Sequence, residues 1–347
     1  MTTPLGVNEP LQSAFDALLF DLDGVIYVGP SAVPGAAEAI RAARAAGIGC
    51  GFVTNNASRP AEEVARHLSE IGIEAALDDV VTSPQAAVAL LPQYVADGSA
   101  VLVIGGAGIE TALRARGYRP VRRLEDDPAA VMQGFSPDVS WRDLAMATFA
   151  VRSGLPWIAT NPDMTFPTAD GIAPGNGALV RVVAETAGRL PVAVAGKPEP
   201  PLLREAMRRL DAERPLMVGD RLDTDVAAGA RVGLPTLLVF TGVTDVRALL
   251  GARGAERPTY VGPDLGVLAR PYPPEGRDGD WFIAGQARAR LVGGRCELVA
   301  EAGTDRWDAI RAAARACWAA DDAGESIDLD SAAGALEGGT VGSAHGA

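Results

Sequence analysis

Histidine and cysteine are scarce in this sequence. Its 347 residues include 2 histidines, His67 and His345, and 3 cysteines, Cys50, Cys296 and Cys317, which stand far apart and form no CxxC pair. This scarcity excludes a His-rich metal site and argues against a catalytic histidine base. It also argues against a disulfide scaffold and against a cysteine-based zinc site.

Basic residues and long apolar runs are lacking as well. Lys and Arg number 31 against 44 Asp and Glu, a formal net charge of −13, whereas duplex DNA or an anionic membrane requires a concentrated basic face. No stretch approaches the ~20 apolar residues of a membrane span, and residues 1–15 lack the basic and apolar regions of a signal peptide. We therefore expect a cytoplasmic protein with neither a nucleic-acid nor a membrane partner.

The sequence does contain enough apolar residues for a large core, since 48% of it is hydrophobic. At ~150 residues per domain, the length favours two domains and a small third piece. Short apolar runs alternate with helix-like segments over residues 17–71 and again over residues 192–261. This alternation is typical of βαβ units on a parallel sheet.

Residues 83–190 interrupt this alternation with strand and helix signals of their own. We predict an α/β core formed by residues 1–82 and 191–270, with a second α/β domain inserted at 83–190. Residues 271–347 are predicted to form a linker and a small C-terminal ββα appendix.

The appendix is predicted from its pattern after a proline- and glycine-rich stretch, 271–280, which is typical of a linker. Residues 281–287 and 296–300 form two predicted strands around the Gly293-Gly294 turn. Residues 307–320 follow as a predicted helix.

The strongest chemical signal is a pair of carboxylates, Asp21 and Asp23, at the end of a predicted buried strand. Ligand sites of open α/β sheets lie at the carboxyl ends of strands, and Gly24 lets the chain turn sharply after the pair. Two anions this close repel each other unless a cation lies between them. Oxygen ligands suit Mg²⁺, so the pair predicts a magnesium site; the alternative is an ordinary turn at a strand end.

Three more predicted strands end in polar groups. Thr54 and Asn55 could donate hydrogen bonds to a phosphoryl oxygen or form a cap or turn before the next helix. Lys197, between a glycine and a proline, offers a fixed positive charge or is a solvated loop lysine. Asp220 follows the predicted strand 216–218 and adds a further carboxylate. Asp225 lies at the start of the next predicted helix, where the alternative role is that of an N-cap. Four strands that all end in such groups predict one site at a single sheet edge.

The four segments LFDLDGV (19–25), FVTNN (52–56), AGKPE (195–199) and LMVGD (216–220) resemble, in this order, the four motifs of the haloacid dehalogenase superfamily. The DxDG sequence resembles that of its phosphatase branch. An insertion between the second and third motifs resembles the C2-capped class IIA group of NagD-like and p-nitrophenylphosphatase-like enzymes. The resemblance covers residues 14–268 and implies a doubly wound, Rossmann-like core with an inserted α/β C2 cap.

The resemblance also implies a role for each site residue. Asp21 corresponds to the nucleophile that forms an aspartyl-phosphate, and Asp23 to the general acid that later acts as a base. Thr54 and Asn55 would bind the phosphoryl oxygens. Lys197 would neutralise charge on the phosphoryl group and on Asp21.

The same resemblance implies a Mg²⁺ ion. Its ligands would be Asp21, the main-chain carbonyl of Asp23, and Asp220, with Asp225 supporting the metal-bound waters. A metal and a lysine together offset the charge of a transferring phosphoryl group, and little else is needed for this chemistry.

The segments ATNPD (159–163) and PGNG (174–177) of the cap also resemble the class IIA group. The cap is expected to determine specificity through its loops at 161–167 and 174–177. Phe166 is a candidate substrate contact and Arg59 a candidate residue at the cap entrance, with packing and surface solvation as the alternatives. A C2 cap limits the site to small phosphorylated metabolites, first glycerol 3-phosphate or 2-phosphoglycolate, then a nucleotide or pyridoxal phosphate. Caps of this group often pair, which implies a homo-oligomer, although no apolar stripe in the sequence requires one.

Other functions are compatible with parts of the sequence. The segment VIGGAG (103–108) resembles the phosphate-binding turn of a dinucleotide-binding oxidoreductase, but the third glycine and the later acidic residue are missing. We interpret it as a tight turn between a strand and a helix. A regulatory module that binds a partner through the appendix, and a phosphotransferase or mutase of the same superfamily, are further alternatives.

Overall fold

A computed structural model describes residues 9–168, 170–301 and 303–337 of the chain. The strands are β1 (Ala17–Phe20), β2 (Tyr27–Val28), β3 (Ser31–Ala32), β4 (Gly49–Thr54), β5 (Val80–Thr82), β6 (Ala100–Ile104), β7 (Arg119–Val121), β8 (Ala130–Gln133), β9 (Trp157–Ala159), β10 (Thr165–Thr168), β11 (Gly171–Pro174), β12 (Ala193–Val194), β13 (Pro215–Gly219), β14 (Thr236–Val239), β15 (Tyr260–Gly262), β16 (Glu275–Asp278), β17 (Trp281–Ala284), β18 (Ala287–Val292) and β19 (Arg295–Ala300). The helices are α1 (Ala36–Ala45), α2 (Ala61–Glu70), α3 (Ser83–Leu90), α4 (Ala107–Ala115), α5 (Trp141–Arg152), α6 (Asn176–Ala187), α7 (Pro201–Leu210), α8 (Ala227–Arg231), α9 (Val246–Leu250), α10 (Arg306–Asp322) and α11 (Leu329–Glu337).

The chain divides into two compact units. Among the described residues, the first unit comprises those up to Gly49 and those from Arg214 onward, and the second comprises those of Cys50–Glu213. These division points differ from those of the predicted insertion at 83–190, whose boundaries stay a prediction.

The first unit contains four parallel strands in the order β15–β14–β13–β1. All four residues of β1 are buried and apolar, as expected for a parallel strand that is covered on both faces. Helix α1 buries Ala36, Ala39, Ile40 and Ala43, a spacing that gives the helix one apolar face. The predicted parallel α/β core is confirmed.

The C-terminal appendix, described over residues 271–301 and 303–337, belongs to the first unit. It forms a four-stranded antiparallel sheet in the order β16–β17–β18–β19, and α10 packs on β17, β18 and β19. The prediction was two strands and one helix, whereas the structure has four strands and two helices here. The residues of β16, Glu-Gly-Arg-Asp, have no apolar pattern from which a strand could be predicted.

The predicted linker after Arg270 is packed against the core. Tyr272 is 1% exposed, and its hydroxyl oxygen accepts a hydrogen bond from the Val261 N–H at 2.9 Å. Its ring lies edge-on to that of Tyr260, with centroids 4.8 Å apart, and the Arg311 guanidinium lies 4.8 Å from its centroid. The appendix therefore continues the core of the first unit.

The second unit contains the parallel pair β4–β5 and a five-stranded parallel sheet in the order β12–β9–β8–β6–β7. Helices α5 and α6 pack against each other, and α5 also contacts β6 and β8. The sequence assigned residues 192–195 to the core, but β12 pairs with β9 of this five-stranded sheet.

The glycine-rich turn between β6 and α4 serves close packing. A Cβ atom on Gly106 would lie 2.9 Å from the Cα of Ser58, and one on Gly108 would lie 2.6 Å from the carbonyl oxygen of Ala57. Glycine is needed here because another backbone segment approaches too closely for a side chain. This supports the interpretation as a structural turn.

The helices of the described ranges are short. The longest, α10, has 17 residues. Within these ranges no helix combines the length and the apolar character needed to cross a lipid bilayer.

Candidate functional site

Two acidic residues meet where β1 and β13 end. These strands run parallel, with Phe20 opposite Val218, and the Asp21 N–H donates to the Val218 carbonyl oxygen at 2.9 Å. Asp21 directly follows β1, and Asp220 directly follows β13. The parallel register therefore brings two carboxylates from distant parts of the chain to one edge of the sheet, as the sequence predicted.

Asp225 completes a cluster of three carboxylates. One oxygen from each of Asp21, Asp220 and Asp225 lies within 4.8 Å of the others, and the three residues are 8%, 1% and 1% exposed. Three buried carboxylates need a compensating positive charge. Carboxylate oxygens are the ligands that Mg²⁺ prefers, so this donor set fits the magnesium ion that the sequence implied.

Asp220 is held by the segment of residues 241–244, which we call the metal-site loop. The Val243 N–H donates to Asp220 Oδ2 at 2.7 Å, and the Thr244 hydroxyl donates to the Asp220 carbonyl oxygen at 2.5 Å. The carboxylate has glycines on two sides, because a Cβ atom on Gly24 or Gly242 would lie 2.6 or 2.0 Å from Oδ2. These contacts fix both the backbone and the side chain of Asp220.

Asp225 lies on a π-helical turn, Leu222–Val226, that precedes α8. Such turns are rare in proteins overall, but they occur frequently at functional sites. Asp225 Oδ2 accepts a hydrogen bond from the Arg221 N–H at 3.1 Å. Its carboxylate lies in the same cluster as those of Asp21 and Asp220, so the geometry allows direct ligation as well as the predicted support of metal-bound waters.

Asp23 is exposed, in contrast to Asp21. It lies in a tight turn in which the Gly24 N–H donates to the Tyr27 carbonyl oxygen at 2.8 Å, and Gly24 has φ of 85°. A positive φ favours glycine at this position. An exposed carboxylate two residues from Asp21 suits a group that exchanges protons with substrate and water.

In the second unit, Lys197 is 2% exposed. Its Nζ donates to the Val53 carbonyl oxygen at 3.2 Å, so it is not the solvated loop lysine of the alternative interpretation. Thr54, at the end of β4, is also 2% exposed, and its Oγ1 accepts from the Asn56 N–H at 3.1 Å. A hydroxyl oxygen that accepts can still donate its own hydrogen to a phosphoryl oxygen.

Asn55 is the centre of a polar network in the second unit. Its Oδ1 accepts from the Lys197 N–H at 2.8 Å. Its Nδ2 donates to the Lys197 carbonyl oxygen at 2.9 Å and to both oxygens of Asp163, at 3.0 and 3.1 Å. The amide has two hydrogens, and these contacts engage both of them.

The sequence did not identify Asp163 as a site residue, although it belongs to the ATNPD segment that resembles class IIA enzymes. The Asp163 carbonyl oxygen accepts from the Gly177 N–H at 2.7 Å, and Asn161 Nδ2 donates to the Asn55 carbonyl oxygen at 2.7 Å. The two predicted cap segments around residues 161–167 and 174–177 are thereby brought together.

The two candidate specificity residues also lie in the second unit. Arg59 is exposed, which is compatible both with a contact to substrate and with solvation. Phe166 lies on β10 opposite Ala173, but its side chain is outside the described part of the structure. Both roles stay predictions.

Comparisons with known proteins agree with these observations. Residues 18–119 match the haloacid dehalogenase-like hydrolase family, and residues 194–268 match a HAD-hydrolase-like family. The chain is 46% identical over 253 residues to a D-glycerol 3-phosphate phosphatase of Mycobacterium tuberculosis, covering 73% of this chain and 70% of that protein.

Solved structures extend the similarity. A glycerol phosphate phosphatase from Mycobacterium tuberculosis in complex with magnesium has a TM-score of 0.81 at 41% identity, over 90% of this chain and 92% of its own. A p-nitrophenyl phosphatase from Archaeoglobus fulgidus has a TM-score of 0.68 at 30% identity, over 74% of this chain and 98% of its own. The predicted family and the predicted class, a phosphoric monoester hydrolase, are confirmed. The chain belongs to the haloacid dehalogenase-like hydrolases.

Proposed function

We propose that this protein is a Mg²⁺-dependent phosphatase that hydrolyses small phosphomonoesters through an aspartyl-phosphate. Glycerol 3-phosphate is the preferred candidate substrate, and 2-phosphoglycolate is the next candidate. The buried cluster of Asp21, Asp220 and Asp225 carries this proposal, because a metal held there would offset the negative charges of the attacking carboxylate and of the phosphoryl group. The choice of glycerol 3-phosphate is supported by the 46% identity to an enzyme named for that substrate.

Asp21 and Asp23 perform the covalent steps. A carboxylate oxygen of Asp21 attacks phosphorus and forms the acyl phosphate, while the bond from phosphorus to the ester oxygen breaks and Asp23 gives that oxygen a proton. Asp23 then takes a proton from water, whose oxygen attacks phosphorus and releases Asp21 and inorganic phosphate. A bound Mg²⁺ supplies positive charge to the phosphoryl oxygens.

Lys197 and Thr54 are the proposed phosphoryl-binding groups of the second unit. Lys197 is buried, so its charge acts with little screening, and the Thr54 hydroxyl donates to a phosphoryl oxygen. The sequence predicted that Asn55 binds the phosphoryl group; we propose instead that it positions Lys197, because both hydrogens of its amide are engaged by Lys197 and Asp163.

Release of inorganic phosphate from a panel of phosphomonoesters, with Mg²⁺ or with EDTA, tests the proposal. We expect Mg²⁺-dependent release that is fastest with glycerol 3-phosphate. Preference for a nucleotide or pyridoxal phosphate would replace the proposed substrate, and release only with an added acceptor would favour a phosphotransferase. No release from any ester by folded protein would overturn the function.

Asp21→Asn tests the nucleophile. The amide is a poor nucleophile, so we expect turnover to fall by about 10⁴-fold or more with an unchanged circular dichroism spectrum. Asp16→Asn is the matched control, since Asp16 lies before β1 and accepts a hydrogen bond from the Arg214 N–H at 2.8 Å. Substantial activity in Asp21→Asn would contradict the assignment.

A homo-oligomer formed through residues 83–190 remains part of the proposal. Phe149 on α5 and Val182 on α6 are 62% and 48% exposed, and the two helices pack side by side. Exposed apolar residues on adjacent helices support a protein contact at this face. Light scattering of the wild type and of Phe149→Asp tests it: an oligomer that the substitution dissociates is expected, and a monomeric wild type would contradict it.

A further inference from the structure

The C-terminal appendix contacts both flanks of the metal-site loop (residues 241–244). On one flank, the ring of Phe240 packs against that of Trp307 at the start of α10, with centroids 4.9 Å apart and planes at 65°. On the other flank, Trp318 Nε1 of α10 donates to the carbonyl oxygen of Leu249 on α9 at 2.9 Å. The loop lies between these two points of attachment.

Apolar packing joins the same elements. One buried cluster contains Val246 and Leu249 of α9 together with Ile310 and Trp318 of α10. It also contains Val226, the last residue of the π-helical turn that carries Asp225. The appendix therefore packs against the supports of two of the three clustered carboxylates.

The middle of the metal-site loop has little packing of its own. Gly242 is exposed and Val243 is 72% exposed, so their side chains contribute little to fixing the backbone. Yet the Val243 N–H donates to Asp220 Oδ2 at 2.7 Å, and hydrogen bonds weaken steeply when distance and angle change. The position of this N–H is therefore set by the two ends of the loop, where the hydroxyls of Thr241 and Thr244 donate to the carbonyl oxygens of Gly24 and Asp220 at 2.6 and 2.5 Å, and by the flanking residues that hold these ends.

We propose that the appendix positions the metal-site loop and thereby the Asp220 carboxylate, with Trp307 and Trp318 as positioning residues for metal binding. Trp307 acts through Phe240, and Trp318 acts through α9. The inference rests on the proposed function in one respect, namely that Asp220 is a Mg²⁺ ligand. It gives the appendix a role in the chemistry of the core.

Mg²⁺ binding by the full-length protein without substrate tests the inference. The rise in melting temperature with Mg²⁺ concentration yields a dissociation constant, which we would measure for the wild type, Trp307→Ala and Trp307→Phe. Loss of groups that orient metal ligands typically costs 10–100-fold in affinity. Trp307 acts on the ligand through Phe240 and the loop and not by a direct contact. We therefore expect Trp307→Ala to weaken Mg²⁺ binding by about 3–10-fold and Trp307→Phe to restore most of the affinity.

Trp281→Ala is the matched control. Trp281 belongs to the same appendix, and the guanidinium groups of Arg288 and Arg290 lie 4.9 and 4.5 Å from its ring centroid. We expect an unchanged Mg²⁺ dissociation constant even if the melting temperature falls. If Trp307→Ala does not fold, Trp318→Phe replaces it, because that change removes the N–H donor to Leu249 and keeps an aromatic ring, although a smaller one.

The possible results separate the two proposals. An unchanged Mg²⁺ dissociation constant in folded Trp307→Ala and Trp318→Phe would overturn the inference and leave the phosphatase intact. Equal weakening in Trp281→Ala would also overturn it, since any damage to the appendix would then act alike. A wild type that binds Mg²⁺ but hydrolyses no ester would overturn the proposed function, while weaker Mg²⁺ binding in Trp307→Ala would still support the inference.

Discussion

Asn55 bonds both backbone groups of Lys197: its Oδ1 accepts from the Lys197 N–H at 2.8 Å, and its Nδ2 donates to the Lys197 carbonyl oxygen at 2.9 Å. The same amide nitrogen donates to Asp163. Asn55 directly follows β4, so its side chain joins the end of this strand to Lys197, which follows β12, and to the segment that leads into β10. A lysine held in this way keeps its charge in a fixed place.

Asn55→Ala removes this attachment without touching the Lys197 ammonium group. We expect kcat for phosphate release to fall by about 10²-fold, comparable to the loss of one preorganised electrostatic contact. Steady-state kinetics at saturating Mg²⁺ provide the measurement. Asn56→Ala is the matched control, because Asn56 Oδ1 accepts from the N–H and the hydroxyl of the nearby Ser58; equal losses in both variants would contradict the prediction.

Gly242→Ala adds one methyl group beside the Asp220 carboxylate. The new Cβ would lie 2.0 Å from Oδ2, so either the loop or the carboxylate must move. We expect the Mg²⁺ concentration for half-maximal activity to rise by about tenfold or more. Gly276→Ala is the control, because a Cβ atom there meets nothing within 4 Å. An unchanged Mg²⁺ requirement in Gly242→Ala would contradict the prediction.

Glu205 on α7 makes the stability of the fold depend on pH. Burial raises the pKa of Glu205, but hydrogen bonds and charge from Arg208 and Arg209 outweigh burial and leave the pKa below its ordinary value. The group therefore stabilises the fold above the unfolded pKa of about 4.3. This stabilisation is lost as the pH falls through the lower folded pKa.

Glu205→Gln tests this dependence. We expect the free energy of unfolding at neutral pH to fall by about 2 kcal/mol, less than the ~3–5 kcal/mol of a fully buried pair, because Arg208 is largely exposed. The difference from the wild type should shrink at about pH 3. Urea denaturation at both pH values is the measurement. Glu38→Gln, which alters an exposed pair with Arg41, should change stability by less than about 0.5 kcal/mol; an equal effect there would contradict the prediction.

Tyr272 tests how firmly the appendix belongs to the core. Tyr272→Phe leaves the buried Val261 N–H without the hydroxyl acceptor at 2.9 Å, and an unsatisfied buried donor costs about 1–3 kcal/mol. We expect a loss of that size in urea denaturation, with one cooperative transition. Tyr94→Phe is the control, because the hydrogen bond of the Tyr94 hydroxyl to the Val192 carbonyl oxygen is long, at 3.5 Å, and exposed. A separate early transition would mean that the appendix unfolds on its own.

The sequence was sufficient to predict the carboxylates at the strand ends. Asp21 and Asp220 each follow a short apolar run, and the carboxyl ends of parallel strands must share an edge. The contact between Asn55 and Asp163 could not be predicted in this way. It depends on how a distant turn folds back, which no local pattern records.

The appendix shows the opposite case, in which local composition misled. Residues 271–280 have the proline and glycine content of a linker, yet Tyr272 is buried because Arg311, far along the chain, packs on its ring. Likewise β12 has the apolar run of a core strand, but pairing with β9 is decided by tertiary structure. Composition predicts local preference, whereas the partner of a segment is fixed only by the complete fold.

The register of β1 with β13 also has a consequence for the order of events during folding. Asp21 and Asp220 are far apart in the sequence, and the contact between β1 and β13 that brings them together closes a very long segment of chain. Such contacts require the largest loss of chain entropy before they bring any gain, and they form slowly. The acidic cluster is therefore absent from any partly folded chain in which these strands have not yet met, and the onset of Mg²⁺ binding during refolding would mark the moment at which the topology of this sheet is complete.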